Sequence, residues 1–252
     1  MEQELVQFIC NQLDEREAPE YKWKFNIRDR VDWLDQGNYS GNTFHEAATV
    51  LDCAAEKFRH SLVENNYQKL FETIRFIMDW GGVYYPQGPR RGNQASIEQF
   101  LDTLPALLKI VKDNNDRIRK RNYSEITRMN AGWTKVWAAL YPDELVMLDS
   151  RVSKAFFSLV RSFLETRGIT DRFLDVFPDT YQAVYNNDDN RSVVGFRCVS
   201  HQYPHNWARS MMFVSRVLVN VVALANEQNV DIFGGNPHTL RGLEARLFME
   251  GA

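Results

Sequence analysis

Residues 130–152 read NAGWTKVWAALYPDELVMLDSRV, and they carry the most informative pattern in the chain. Lys135 stands among the apolar residues of 133–140. Asp149 follows the apolar run 145–148 and precedes further apolar residues three and four apart. An aspartate in that position accepts hydrogen bonds from the free N–H groups of a helix N-terminus. The stretch therefore predicts two successive helices, one that carries a lysine and one that an aspartate caps.

The same helical periodicity extends over most of the chain. Apolar residues recur three and four apart over 4–13, 43–62, 67–78, 96–111, 150–166, 206–226 and 240–249. Two of these helices begin with capping-box patterns, Thr43 to Glu46 and Ser96 to Gln99. No segment alternates apolar and polar residues as a half-buried strand does. The sequence therefore predicts an all-α fold.

The connecting segments are less regular. A short helix is expected at 123–129, and Pro105 stands where it can kink its helix. Residues 18–42 and 178–205 lack periodicity and are expected to be irregular. Since no repeat or low-complexity linker divides the chain, we expect a single unit over 1–252.

Length and composition set the class of protein. The 252 residues, 44% of them hydrophobic, are enough for a sizeable core in one domain or two packed lobes. No window approaches about eighteen uninterrupted apolar residues, so no membrane-spanning helix is expected. The N-terminus is acidic and amphipathic, which is unlike a signal peptide. We therefore expect a cytoplasmic protein without a membrane partner.

Cysteine and histidine spacing gives no metal or cofactor site. Cys10, Cys53 and Cys198 are odd in number and far apart, which fits neither a disulfide framework nor an iron–sulfur or zinc cluster. His201 and His205 are four apart, but Pro204 between them opposes a regular helix that presents both to one metal. We expect reduced cysteines, no metal and no cofactor.

Charge is unevenly distributed. The net charge of −3, taken alone, weighs against a nucleic-acid partner. Between 117 and 128, however, the only acid is Glu125, and the basic residues are Arg117, Arg119, Lys120, Arg121 and Arg128. This segment is either a solvated face or a surface for phosphates. Residues 84–93, YYPQGPRRGN, are likewise either a connector or a loop that contacts a polyanion.

Lys135 and Asp149 together suit one kind of reaction. A lysine amine attacks carbon only when it is unprotonated, and free lysine has a pKa of about 10.4, so a nucleophilic lysine needs burial or positive neighbours. A helix N-terminus keeps an aspartate ionised. An ionised carboxylate stabilises an oxocarbenium ion, and an amine can capture its C1′ carbon. Each residue is also compatible with a purely structural role.

Two segments of the stretch match a known pattern. Residues 132–136, GWTKV, and 148–152, LDSRV, resemble the helix-hairpin-helix DNA glycosylases, most closely bacterial proteins similar to 8-oxoguanine DNA glycosylase. Residues 80–82, WGG, and 241–249, RGLEARLFM, look like the same bacterial branch. The resemblance implies two helical lobes around a cleft, with a helix-hairpin-helix-like segment at 117–152.

The resemblance also implies roles for individual residues. Lys135 falls on the catalytic lysine and Asp149 on the catalytic aspartate, 14 residues apart, which is shorter than usual. The hairpin keeps one glycine where the family has two, and Asn130 is expected to supply the unusual backbone angles instead. The expected DNA-binding residues are Arg119, Lys120, Arg121, Arg128, Asn130, Gly132 and Arg151. The expected base-pocket residues, with core packing as the alternative for each aromatic, are Trp80, Gly81, Tyr84, Trp133 and Ala139, with Tyr85 as a further candidate.

Three functions remain open at this point. The first is a monomeric DNA N-glycosylase that flips out and removes an oxidised purine such as 8-oxoguanine from double-stranded DNA, with Schiff-base lyase activity as an extension. The second is an antiphage glycosylase that removes hypermodified phage bases, for example glucosylated hydroxymethylcytosine. The third is a module that reads modified DNA without cutting it.

Overall fold

The fold is mostly helical, which confirms the all-α prediction at that level. The computed structural model describes residues 1–28, 30–34, 39–84, 103–170, 173–177, 180–184, 190–199 and 203–252. Its elements are α1 (Glu2–Asp14), β1 (Phe25–Asn26), β2 (Ser40–Gly41), α2 (Phe44–Val63), α3 (Tyr67–Trp80), α4 (Leu104–Arg119), a 3-10 turn (Tyr123–Glu125), α5 (Ala131–Leu140), α6 (Ser150–Thr166), α7 (Phe173–Val176), β3 (Tyr181–Gln182), β4 (Arg197–Cys198), α8 (Pro204–Gln228) and α9 (Leu240–Glu250).

The strands were not expected from the sequence. β1 pairs with β2 antiparallel, and β3 pairs with β4 parallel, with two residues in each strand. Since alternation needs at least four residues to be recognised, strands of this length leave no signal in the sequence. They give regular structure to parts of 18–42 and 178–205, the segments that were expected to be irregular.

Two expected helical features differ in the structure. The helix predicted at 123–129 is only the 3-10 turn Tyr123–Glu125, and Ile126 already has extended backbone. Pro105 lies in the first turn of α4, where its missing N–H has no helical partner to lose, so it does not kink the helix. The second capping box, Ser96 to Gln99, lies outside the described residues.

The described chain divides into two compact units. The middle unit is Lys22–Leu140, and the terminal unit combines Met1–Tyr21 with Tyr141–Ala252. The boundary between Leu140 and Tyr141 falls inside the segment 117–152 that the sequence treats as one motif. Lys135 therefore belongs to the middle unit and Asp149 to the terminal unit.

The middle unit is built around α3, which packs against α2, α4 and α5. Its capping box is present as predicted: the Glu46 N–H donates to Thr43 Oγ1 at 3.2 Å, and the Thr43 N–H donates to Glu46 Oε2 at 3.0 Å. The carboxylate of Asp79, almost fully buried at the end of α3, accepts from the backbone N–H and the guanidinium of Arg28. This pair joins the β1 segment to the end of α3.

The terminal unit is built around α8, which packs against α1 and α9. Both α1 and α9 also pack on α6. By length and composition α8 is the one helix of the described chain that could cross a membrane, and 56% of its qualifying stretch is buried inside the protein. Core helices share these properties, so the absence of a membrane partner stays a prediction.

Candidate active site

Lys135 is a buried lysine on a buried helix. Every residue of α5 from Gly132 to Leu140 is buried, and the Lys135 side chain is only 4% exposed. The helix packs against α2 and α3. The indole rings of Trp133 and Trp137 stack 6.2 Å apart along it, and both are at most 1% exposed. The apolar setting expected for Lys135 is therefore present.

The stem of Lys135 lies directly over Gly81. A Cβ atom placed on Gly81 would be 2.3 Å from Lys135 Cδ and 2.9 Å from its Cε, which is too close for carbon atoms. Gly81 has φ of −75°, so its backbone conformation does not require glycine. Glycine is required because the Lys135 stem leaves no space for a side chain. The left-handed conformation that ends α3 is at Gly82, with φ of 64°. Gly81 thus provides room for the lysine.

Asn130 caps α5 with its side chain. Its Oδ1 accepts from the Gly132 N–H at 2.9 Å and from the Trp133 N–H at 3.1 Å. Contrary to expectation, Asn130 has no left-handed backbone, and Gly132 lies inside the first turn of α5 instead of in a turn before it. The two N–H groups that a hairpin would offer to a DNA phosphate are occupied by the Asn130 amide oxygen.

Asp149 is the N-cap of α6, as the sequence predicted. One carboxylate oxygen, Oδ1, accepts from the Arg151 N–H at 3.0 Å and the Val152 N–H at 3.1 Å. The backbone of Asp149 is extended, with φ of −104° and ψ of −178°. These bonds fix the side-chain rotamer of Asp149.

The apolar run before Asp149 is held by side chains from α8 and α9. The Val146 N–H donates to Ser215 Oγ at 3.0 Å, and the Met147 N–H donates to Glu244 Oε2 at 2.7 Å. All four residues of 145–148 are buried. Because a buried N–H needs an acceptor, these two side chains satisfy a backbone that belongs to no strand or helix.

Arg151, the expected phosphate contact, lies against the end of α9. Its guanidinium carbon is 4.6 Å from the centre of the Phe248 ring, a cation–π contact. A Cβ atom on Gly251 would be 1.9 Å from the Arg151 carbonyl oxygen. The C-terminal helix therefore packs tightly against the first turn of α6.

The basic segment is exposed, and several of its charges have acidic neighbours. Lys120 pairs with Asp116 at 2.8 Å, and Arg117 lies 3.6 Å from the Glu125 carboxylate. Arg119 and Arg121 are exposed at the end of α4, and Arg128 is half-buried. Exposed pairs of this kind contribute little to stability. The segment is a solvated basic surface, and its contact with DNA stays a prediction.

Most of the expected base-pocket side chains belong to the core. Trp80 is 6% exposed, and its ring meets the ring of Trp23 edge-on at 4.7 Å. Trp133 and Ala139 are at most 1% exposed. Tyr84 is half-buried, and its carbonyl accepts from Arg28, while Tyr85 lies outside the described residues. Trp80, Trp133 and Ala139 are thus buried in the protein, and a role in base recognition stays a prediction.

The remaining sequence expectations concern metals and thiols. Within the described ranges, no group of three His, Cys, Asp or Glu side chains could hold a metal. His205 lies on α8, and His201 is outside those ranges. None of the three cysteines, all of them described, is in a disulfide; Cys10 is buried, and Cys53 and Cys198 are half-buried.

Sequence reasoning missed the residues that support the two candidate catalytic residues, Lys135 and Asp149. Gly81 was expected in the base pocket, and the structure gives it contact with Lys135. Glu244 was noted only as part of the segment 241–249. The sequence did contain an indication of its role. Glu244 is an acid on the apolar face of a helix, flanked by Leu243 and Leu247, where a carboxylate without a hydrogen-bond partner would be costly.

Comparison with known proteins adds no relative. No family model, no curated protein and no solved structure matches the chain. Its function is therefore proposed from the residues themselves and from the resemblance of their pattern.

Proposed function

We propose that the chain is a DNA N-glycosylase that excises a modified base, with Lys135 as nucleophile and Asp149 as the electrostatic group. The observation that carries the proposal is that each of these residues is fixed in a specific setting within its own unit. The lysine is buried over a glycine that makes room for it, and the aspartate is fixed by two helix N–H groups. Each is built into a helix in the order and pattern of the glycosylases it resembles.

Asp149 would act on the sugar. As the bond between C1′ and the base nitrogen breaks, the base leaves with the electron pair and positive charge develops on the sugar. A carboxylate fixed in advance stabilises that charge without reorganising during the reaction.

Lys135 would then capture C1′. The neutral amine forms a C–N bond to that carbon and loses a proton, and opening of the sugar ring gives a Schiff base, the intermediate of an associated lyase reaction. Burial of the lysine keeps competing water away from the intermediate.

The proposed partner is double-stranded DNA that contains a modified base, bound by a monomer in the cytoplasm. The base must leave the stack, at a cost of a few kcal/mol. Arg151 and the basic residues 117–128 are the groups proposed to contact phosphates. No metal or cofactor enters this chemistry.

Borohydride trapping tests the proposal. Wild type is incubated with duplexes that carry 8-oxoguanine and, separately, with phage DNA that carries glucosylated hydroxymethylcytosine, and released bases are identified by mass spectrometry. We expect a covalent adduct with wild type, none with Lys135→Ala, and strongly reduced base release with Asp149→Asn. Lys69→Ala, at an exposed lysine of α3, is the matched control and should behave as wild type.

The outcomes separate the three functions. The substrate that releases its base assigns the protein to repair or to excision of phage bases. Binding of modified DNA without release by wild type would identify a reader. Base release that survives in Lys135→Ala, without an adduct in wild type, would overturn the assignment of the nucleophile.

A further inference from the structure

We propose that α9 is the positioning element of the reactive carboxylate: Glu244, Phe248 and Gly251 hold the chain on both sides of Asp149. The importance of this for catalysis rests on the proposed function. The contacts themselves are independent of it. Glu244 and Phe248 are four apart, so they lie along one face of α9, and Gly251 is the C-cap residue that follows the helix.

The first contact acts on the segment before Asp149. Glu244 Oε2 accepts from the Met147 N–H at 2.7 Å, and both residues are at most 8% exposed. The Met147 carbonyl in turn accepts from the N–H of Asp149 itself at 2.9 Å. Met147 is therefore hydrogen-bonded on one side to Glu244, through its N–H, and on the other to the backbone of Asp149, through its carbonyl.

The second and third contacts act on the segment after Asp149. Phe248 lies under the Arg151 guanidinium, and Gly251 brings the end of α9 against the Arg151 carbonyl oxygen. The N–H of the same Arg151 donates to the Asp149 carboxylate. The residues two before and two after Asp149 are thus both held by α9, and the carboxylate lies between them.

The Tyr21 side chain also lies near Glu244. Burial raises the pKa of the Tyr21 phenol, and the nearby Glu244 carboxylate raises it further. The segment after α1 is therefore also close to this acid. Replacing Glu244 should loosen the Asp149 cap locally and leave the rest of α6 in place.

Amide hydrogen exchange in the full chain tests the positioning role without any substrate. We expect Glu244→Ala to speed exchange of the Arg151 and Val152 amides by about tenfold, the effect of one unsatisfied buried donor. The amides of Phe156 and Val160, further along α6, are the internal reference and should change little. Glu244→Gln keeps an acceptor oxygen and should restore most of the protection.

Equal acceleration along the whole of α6, or unchanged exchange at Arg151 and Val152, would overturn the proposal. A second variant, Phe248→Leu, keeps an apolar side chain and removes the ring. It should alter exchange at Arg151 with little change in thermal stability, so the test does not depend on Glu244→Ala being well folded.

Measuring base release tests whether this positioning matters for catalysis. In Glu244→Ala the single-turnover rate should fall by about tenfold or more, with duplex affinity close to wild type, and Glu244→Gln should recover most of it. A wild type that releases no base would refute the proposed function and leave the exchange result intact. A normal rate in Glu244→Ala, with an active wild type, would refute positioning by α9.

Discussion

At the scale of single residues, Gly81 and Lys135 form the most informative pair. They are separated by more than fifty residues, and their contact depends on how α3 ends and how α5 packs against it. Sequence pattern identifies a lysine among aromatics and a glycine after a helix, and it says nothing about which glycine faces which lysine. The contact is a product of tertiary packing, so only the structure could reveal it.

Gly81→Ala should therefore displace the lysine amine and leave the fold intact. The nearest obstacle to the new methyl group is the Lys135 stem, and the next, the Ile77 carbonyl oxygen, is at 3.4 Å. A misplacement of about 1 Å costs on the order of a hundredfold in rate. We expect that loss in borohydride trapping, together with a stability cost of about 1–3 kcal/mol from overpacking.

The Lys135→Ala background is the control for this prediction. There the obstacle is gone, and Gly81→Ala should be neutral or stabilising by about 0.4–1 kcal/mol, since alanine restricts the unfolded chain. Denaturant titration of the four proteins measures the coupling. Additive effects of the two substitutions would show that the lysine does not limit the space at Gly81.

At the scale of elements, the sequence predicted what local chemistry determines. The Thr43 and Asp149 caps were foreseen, because each depends on residues within one helical turn. The 3-10 turn at 123–125 and the two-residue strands were not, because packing and distant partners define them. The N-terminus of α5 at Asn130 combines both kinds of feature. The cap depends on neighbouring residues, whereas any effect of the cap on phosphate binding depends on how DNA approaches the helix.

Asn130→Asp separates these two properties of α5. The aspartate is nearly isosteric, can accept from the same N–H groups and adds a negative charge at the positive end of the helix, which should stabilise the protein by about 0.3–1 kcal/mol. If a DNA phosphate approaches this terminus, the same charge should weaken duplex binding by roughly tenfold at low salt. Thermal denaturation and fluorescence anisotropy measure the two effects.

Asn226→Asp is the matched control, because it makes the same charge change at an exposed position on α8. Its affinity for duplex should stay within about twofold of wild type at moderate salt. Equal affinities for Asn130→Asp and Asn226→Asp would show that no phosphate comes near the N-terminus of α5, and Arg151 and the basic segment would then be the remaining candidates for phosphate contact.

At the scale of the whole molecule, the two units do not simply follow one another along the chain. The middle unit is one continuous segment, whereas the terminal unit combines the two ends of the chain. Leu5, Ile9 and Leu13 of α1 are completely buried in the terminal unit, against α6 and α8. Periodicity predicts that α1 has a buried face, and it contains no information about a partner helix two hundred residues away.

This arrangement predicts that Ile9→Ala weakens the terminal unit selectively. Truncating a buried isoleucine costs about 2–5 kcal/mol. Trp207 is the single tryptophan of the terminal unit, so in a Trp207→Phe background tryptophan fluorescence reports on the middle unit alone. In that background Ile9→Ala should move part of the far-UV circular dichroism transition to lower denaturant, while the fluorescence transition stays in place.

Leu70→Ala provides the converse, because Leu70 is completely buried in α3 of the middle unit. Leu70→Ala should move the fluorescence transition to lower denaturant concentration. The part of the circular dichroism transition that comes from the terminal unit should stay where it is. If both probes shift together in both variants, the two units unfold as one cooperative structure. Loss of α1 packing would then destabilise the surroundings of Lys135 as much as those of Asp149.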